Sequence, residues 1–187
     1  MTLLILGLIL WIVVHLMKRL APGLRAGLNT RYGEARARGI VTGLILLSVA
    51  AMTVGYKQSE LTHLYDSPSW ARPVNNLLVL IAFILAGMGN SRGKLRAAMR
   101  HPMLTAMVVW AIAHLLMNGD VPSVVLFGGL GLWAIISMLV INAQEGPWQR
   151  PEPGPISGDI KLVVIGTVIF SIVAGLHILL GPNPFTA

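Results

Sequence analysis

Cysteine is absent from the 187-residue sequence, and charged residues are scarce. Without cysteine the chain cannot form a disulfide, a Cys-ligated zinc site, an iron–sulfur cluster or a cysteine nucleophile. Only 11% of the residues are charged, against about a quarter in ordinary soluble domains, while 55% are hydrophobic. So few charges could not cover the surface of a soluble domain this apolar. The composition therefore predicts an integral membrane protein and disfavours soluble enzyme folds.

Charged side chains are also missing from the centres of the apolar segments. A proton-driven transporter usually needs a carboxylate inside the membrane, so the sequence disfavours that class. The His-Glu-x-x-His pattern of metalloproteases is absent as well. Any metal or catalytic chemistry must therefore use histidine, aspartate, glutamate, asparagine or backbone groups.

Six apolar stretches are long enough, or nearly so, to cross about 30 Å of hydrocarbon. They predict an all-α fold, an integral membrane bundle of about six transmembrane helices that forms a single domain over residues 1–187. The connections, of which the longest are Lys18–Arg38, Lys57–Pro73 and Gln144–Asp159, are expected to be loops too short for a soluble domain. The predicted spans are 2–20, 39–56, 74–89, 103–117, 121–143 and 160–180.

The basic residues predict the orientation of this bundle. All but two of the 14 Lys and Arg residues lie in or beside alternate loops, and Lys57 and Arg72 are the exceptions on the other side. Cytoplasmic loops of membrane proteins carry an excess of positive charge, so we expect both termini outside. The same excess explains the net charge of +7 without a nucleic-acid partner.

Histidines are the ionisable side chains placed to do chemistry inside the membrane. His15 lies in the first predicted span and His114 in the fourth, and each follows a tryptophan by four residues, Trp11 and Trp110. That spacing places Trp and His on one helical face, and Asn118 extends the face beyond His114. Neutral imidazole is a common axial ligand of haem iron, and helical bundles build such sites on facing helices. The matched pattern also suits an inverted repeat, although two residues can match by accident.

The other histidines have plainer interpretations. His63 is a loop residue, and His177, near the outer end of the last span, is expected to bond a neighbouring helix or a headgroup. His101 begins the fourth span and is either an interfacial residue or a site residue. Arg100 is one of three arginines at a depth suited to haem propionates, with Arg96 and Arg19. The basic loops otherwise serve topology and contacts with anionic lipids.

Several strings of the sequence resemble the NnrU family of membrane proteins. Arg100-His101-Pro102-Met103, Ala113-His114-Leu115-Leu116 and Asn118-Gly119-Asp120 match its hallmark. Val14-His15 with Ala21-Pro22-Gly23-Leu24-Arg25 resembles its opening, and Phe127-Gly128-Gly129 with Trp133 resembles its fifth helix. The resemblance is strong over about Leu3 to Ile141 and weaker over the last helix.

The resemblance implies a bacterial inner (cytoplasmic) membrane protein that supports nitric oxide and nitrite reduction in denitrification. It also implies kinship to 15-cis-zeta-carotene isomerase, which binds haem b through histidines. Residue by residue it implies haem b ligation by His15 and His114, with His101 as an alternate ligand or propionate neighbour. Arg100 and Asn118 would complete the cofactor site.

Three functions follow as alternatives. The first is a haem b protein that supports the nitric oxide and nitrite reductase system or accepts electrons from a donor. The second is an enzyme, a haem-dependent cis–trans isomerase of a hydrophobic polyene. The third is a cofactor-free membrane assembly factor whose histidines only pack. His15 with His114 is the preferred ligand pair over His15 with His101.

Overall fold

The computed structural model describes residues 1–181 and 183–186, and it confirms an all-α membrane fold. Among these residues five helices are long and apolar enough to cross a membrane, and a further apolar helix of 16 residues is shorter. The helices are α1 (Thr2–Leu20), α2 (Pro22–Tyr32), α3 (Glu34–Lys57), α4 (Ala71–Met88), α5 (Pro102–Met117), α6 (Val121–Glu145) and α7 (Ile156–Leu180).

The six predicted spans correspond to α1, α3, α4, α5, α6 and α7. Both ends of α1 agree with the prediction, whereas α3 begins five residues earlier than expected, at Glu34, and α7 begins at Ile156. The additional residues are the first turns of α3 and α7. Their polar or loop-forming residues keep them out of an apolar pattern. Within α6 the stretch Val124–Gly128 is a π-helical turn, which the sequence did not predict.

The prediction of a loop between the first two spans was wrong for its central part, which forms the helix α2. Pro22 stands in the first turn of this helix, where its missing N–H and fixed φ favour a helix start. Gly33 ends it at a φ of 77°, a backbone conformation that glycine adopts without strain. The helix α2 has a low hydropathy, and an apolar run indicates only those helices that cross a membrane.

The chain divides into two compact units. The first unit comprises Met1–Leu64 and Asp120–Gly129, and α1 and α3 are its main packed pair. A Cβ added to Gly7 would lie 2.7–2.9 Å from Met52 and Ser48, and one added to Gly55 would meet the backbone of Leu4. These close approaches show two antiparallel helices whose backbones nearly touch, as small residues allow in membranes.

The second unit comprises Tyr65–Gly119 and the described residues from Leu130 onward. Its centre is α4, which packs on α5 and on α7. A Cβ added to Gly87 would lie 2.8 Å from Leu162, and one added to Gly166 would lie 2.9 Å from Ile84. This unit therefore also uses glycine to bring helices close together.

Candidate functional site

His15 lies five residues before the C-terminal end of α1, and its ring is held against Trp11. The His15 Nδ1–H donates to the Trp11 carbonyl oxygen at 2.9 Å. The two rings lie 4.0 Å apart between centroids at an interplanar angle of 34°. His15 is partly buried. The hydrogen bond and the ring contact together fix the orientation of the imidazole.

His114 repeats this local geometry in the last turn of α5. Its Nδ1–H donates to the Trp110 carbonyl oxygen at 2.9 Å, and the ring centroids of Trp110 and His114 lie 4.6 Å apart at 45°. His114 is likewise partly buried. The sequence pattern Trp-x-x-x-His thus produces the same arrangement twice, because i and i+4 share a helical face.

The hydrogen bond at Nδ1 determines what each imidazole can do. In a neutral ring whose proton is on Nδ1, the basic lone pair lies on Nε2. Metal-ligating histidines commonly donate their other N–H to a backbone carbonyl or carboxylate, which fixes both tautomer and orientation. Both rings therefore have the tautomer of a ligand that binds through Nε2.

His177 and His63 have different surroundings. The Nδ1–H of His177 also donates to the carbonyl four residues earlier, at 3.0 Å, but that residue is Val173, and His177 is exposed. His63 is exposed in the loop after α3, and its backbone forms a short antiparallel bridge with Asp120. The backbone bond is thus a general property of helical histidine, and the tryptophan contact distinguishes His15 and His114.

The end of α5 beyond His114 is capped by side chains. The Asn118 Nδ2–H donates to the His114 carbonyl at 2.8 Å, and the Ser67 hydroxyl donates to the Met117 carbonyl at 2.8 Å. The Tyr65 hydroxyl donates to the carbonyls of Leu115 and Asn118. A contact of Asn118 with a cofactor stays a prediction. The observed contacts make Asn118 a helix cap, which restrains the turn that contains His114.

Arg100 and His101 fasten the start of α5 to the end of α6. The Arg100 guanidinium donates to the Gly146 carbonyl at 2.6 Å and forms an ion pair with Glu145 at 3.3 Å. The His101 Nε2–H donates to the Asn142 Oδ1 at 2.8 Å. These bonds give both residues a role within the chain, at the opposite end of α5 from His114. At about 1.5 Å per residue the rise from His101 to His114 is about 20 Å, so one iron could not bind both.

Asp159 is a polar residue of the second unit that the sequence analysis did not single out. Its carboxylate is 5% exposed and accepts hydrogen bonds of 3.0 Å from the backbone N–H groups of Lys94 and Leu95. Those groups begin the short 3₁₀ turn Leu95–Ala97. The sequence signal was weak, because an Asp in a first helical turn is usually read as serving its own helix.

Ser91 lies in a Gly-x-Ser-x-Gly string, 89–93, that the structure separates from nucleophilic chemistry. Such a serine needs a sharp strand-to-helix turn and a neighbouring base. Here the string follows helix α4, the Ser91 hydroxyl donates to the Gly158 carbonyl at 3.4 Å, and it accepts from the Gly93 N–H at 3.0 Å. Ser91 is therefore a loop-forming residue.

Three side chains of the first unit, those of Tyr56, Ser123 and Asp120, form a hydrogen-bonded chain. Asp120 caps the start of α6 by accepting from the Ser123 N–H at 2.8 Å. The Ser123 hydroxyl donates to the Asp120 Oδ2 at 2.8 Å, so the Tyr56 hydroxyl at 2.9 Å donates to Ser123. This chain ties α3 to the start of α6.

Comparison with protein families decides the assignment of the chain. The match is to the family described as NnrU protein, and it covers residues 3–184. The chain belongs to the NnrU family. Among the curated proteins and among the solved structures, nothing matched. The matched range includes both Trp-x-x-x-His segments. It also includes every string on which the resemblance to the family was based.

The NnrU chain distributes its candidate ligands over both units. His15 belongs to the first unit, and His101, His114, Arg100 and Asn118 belong to the second. Within residues 1–181 and 183–186, no group of three His, Asp or Glu side chains could hold a metal ion between them. A haem needs only one or two imidazoles, because the porphyrin supplies the other iron ligands.

Proposed function

We propose that this NnrU-family protein binds haem b through His114 and His15 and supports nitric oxide and nitrite reduction from a bacterial inner membrane. The observation that carries the proposal is the shared geometry of the two Trp-x-x-x-His segments. In each, a neutral imidazole is oriented by a backbone carbonyl and a tryptophan ring, with its lone pair on Nε2. This orientation and this position of the lone pair suit an axial ligand of haem iron.

A bound haem b would supply a one-electron redox centre. The residues of the chain would bind and orient it: Nδ1–H donation to a carbonyl raises the basicity of the ligating nitrogen. An apolar helical environment keeps the imidazoles neutral and therefore able to ligate. The pairing of His15 with His114 on one iron remains a prediction from the sequence, so each histidine is tested separately.

The test is the absorption spectrum of the detergent-purified protein, oxidised and dithionite-reduced, with haem quantified as the pyridine haemochrome. We expect close to one haem b per chain and a red-shifted Soret band on reduction. His114→Ala and His15→Ala should each lose most of the haem or change the iron from six- to five-coordinate. Adding imidazole to either variant should restore the spectrum, which distinguishes a lost ligand from a misfolded chain.

His63→Ala is the control, since His63 is exposed in the loop after α3 and does not follow a tryptophan by four residues. It should keep full haem content. Full haem content with an unchanged spectrum in both His15→Ala and His114→Ala would overturn the ligand assignment. Colourless protein after expression with ample haem precursor would remove haem and favour a membrane assembly factor.

The denitrification role is supported by family membership and needs its own experiment. Deleting the gene in its native host should reduce the rates at which membranes consume nitric oxide and nitrite. The wild-type gene should restore those rates, whereas a gene encoding His114→Ala should not. Unchanged rates in the deletion strain would contradict this role and leave haem binding to be judged by the spectrum alone.

A further inference from the structure

The helix α2 joins two membrane-spanning helices at one surface of the membrane. Gly7 of α1 faces Ser48 and Met52 of α3, while Gly55 of α3 faces Leu4. The two helices are therefore antiparallel, and the end of α1 and the start of α3 lie at the same side. Since α2 connects these two ends, it lies at the membrane–water boundary.

The residues of α2 are suited to that boundary. None of its residues is buried, and the Leu24 side chain is 66% exposed. Leu24 and Arg31 are seven residues apart, which is two helical turns, so they share one face. At a membrane surface an exposed leucine side chain reaches the acyl boundary, while a neighbouring long cationic side chain extends to the phosphates.

Contacts within the first unit fix α2 in this orientation. The Arg25 guanidinium donates to the Ala37 carbonyl of α3 at 3.2 Å. The Gly33 N–H closes the end of α2 by donating to the Asn29 carbonyl at 2.9 Å. Because α2 is tied to α3, its Leu24 and Arg31 are presented on a defined face.

The charge around α2 is strongly one-sided. Residues 18–38 contain six basic side chains and a single acidic one, Glu34, whose weak 3.9 Å ion pair with Arg38 is exposed. In the described part of the chain, Lys18, Arg31 and Arg36 form no ion pair with an acidic side chain, and all three are exposed. By contrast, Arg100 in the other large basic segment is already paired with Glu145.

We propose that Lys18, Leu24, Arg31 and Arg36 form a binding surface, the α2 surface, for anionic phospholipid headgroups. Charge complementarity selects this occupant, since basic side chains next to a spanning helix attract anionic lipid by about 1 kcal/mol each. The exposed leucine favours a lipid surface over a soluble anion, because it gains only where acyl chains are within reach. The α2 surface is independent of haem binding.

The absence of cysteine permits a site-specific test on the full chain in nanodiscs. Thr30→Cys allows one fluorophore to be attached to α2. Its fluorescence is quenched by a doxyl-labelled lipid, either phosphatidylglycerol or phosphatidylcholine. Each quencher is present at low content in a phosphatidylcholine host. Thr53→Cys, an exposed position near the other end of α3, is the control. The readout is the ratio of the phosphatidylglycerol quenching constant to the phosphatidylcholine quenching constant.

We expect a ratio well above one at position 30 and near one at position 53. Arg31→Gln with Arg36→Gln should lower the ratio at position 30 by about thirtyfold or until it reaches one, the factor that two contributions of about 1 kcal/mol give. Arg31→Lys with Arg36→Lys should preserve it, and high salt should abolish it. A wild-type ratio of one at position 30, equal ratios at both positions, or an unchanged ratio in the Gln variant would each overturn the proposal.

Discussion

The two Trp-x-x-x-His segments have the same internal geometry but are held in different ways. Around His114 the last turn of α5 is fastened at its end, where the side chains of Tyr65, Ser67 and Asn118 donate to terminal carbonyls. Around His15 the helix α1 is held along its length by its close antiparallel packing on α3. The end of α1 then passes directly into the exposed α2.

This difference separates two requirements of a ligand site. Within each segment the imidazole has a hydrogen bond to the carbonyl, and a ring contact with the side chain, of the tryptophan four residues earlier. The position of each helix comes from elsewhere, from glycine contacts for α1 and from end capping for α5. Substitutions that displace a helix should therefore have different effects in the two units. Substitutions within the Trp-x-x-x-His segments should have the same effect in both.

The largest expected effect is the loss of close packing in the first unit. Gly55→Leu places a side chain against the backbone of Leu4, which no rotamer change can relieve. We expect a loss of about 3 kcal/mol in the free energy of unfolding, at the upper end of overpacking costs. The measurement is reversible unfolding in SDS followed by circular dichroism.

Gly43→Leu is the matched control on the same helix. A Cβ at Gly43 meets nothing within 4 Å, so this change should alter the free energy of unfolding by less than about 0.5 kcal/mol. Equal losses for Gly55→Leu and Gly43→Leu would show that α1 is not held by its contact with α3.

The spanning helices were predictable because hydropathy and length determine them directly. The stretch 2–20 reads as a span, and α1 has those bounds, since an apolar run of this length crosses the hydrocarbon. The helix α2 was not predicted, because its stability depends on Pro22, Gly33 and the Arg25–Ala37 bond rather than on a hydrophobic run. The π-helical turn in α6 has no comparable sequence signal.

A smaller effect is expected at the polar junction of the second unit. Asp159→Asn replaces a buried carboxylate that accepts from the N–H groups of Lys94 and Leu95. The amide oxygen of asparagine can accept one of these bonds, but more weakly than a carboxylate. Its NH₂ group, itself a donor, would then face the other backbone N–H. We expect a loss of about 2 kcal/mol, within the range for a broken charge-assisted bond, and faster tryptic cleavage after Lys94 and Arg96.

Glu152→Gln tests whether this effect belongs to the junction. Glu152 is exposed in the same connection, so its substitution should leave the tryptic cleavage rate unchanged. If Asp159→Asn cleaves no faster than Glu152→Gln, the buried carboxylate does not hold the 3₁₀ turn. The first unit should keep its proteolysis pattern in both variants.

The sequence identified the candidate histidines but not their partners. Histidine within an apolar span is unusual, and the tryptophan four residues before it can be read from the sequence itself. The hydrogen bonds of Tyr65 and Ser67 join residues about fifty positions from their acceptors, and no local pattern encodes them. The sequence places Asn118 on the same helical face as His114, and the structure adds that its amide caps α5, as asparagine after a helix end often does.

The smallest expected effect concerns the cap that distinguishes α5 from α1. Tyr65→Phe removes the hydroxyl that donates to the Leu115 and Asn118 carbonyls, with little change in ring packing. A lost hydrogen bond of this kind costs about 1 kcal/mol, so amides in the last turn of α5 should exchange about fivefold faster. Hydrogen-exchange mass spectrometry of peptides covering 110–118 measures this, with peptides covering 11–20 as the comparison.

Tyr32→Phe supplies the matched control, because it makes the same chemical change on the exposed helix α2. It should leave exchange in both peptides unchanged, whereas Tyr65→Phe should accelerate exchange only around His114. Equal acceleration around His15 and His114 would mean that the hydroxyl of Tyr65 stabilises the whole fold rather than the α5 end. If instead only the α5 peptide responds, the last turn of α5, which contains His114, depends on the Tyr65 hydroxyl, and the end of α1, which contains His15, does not.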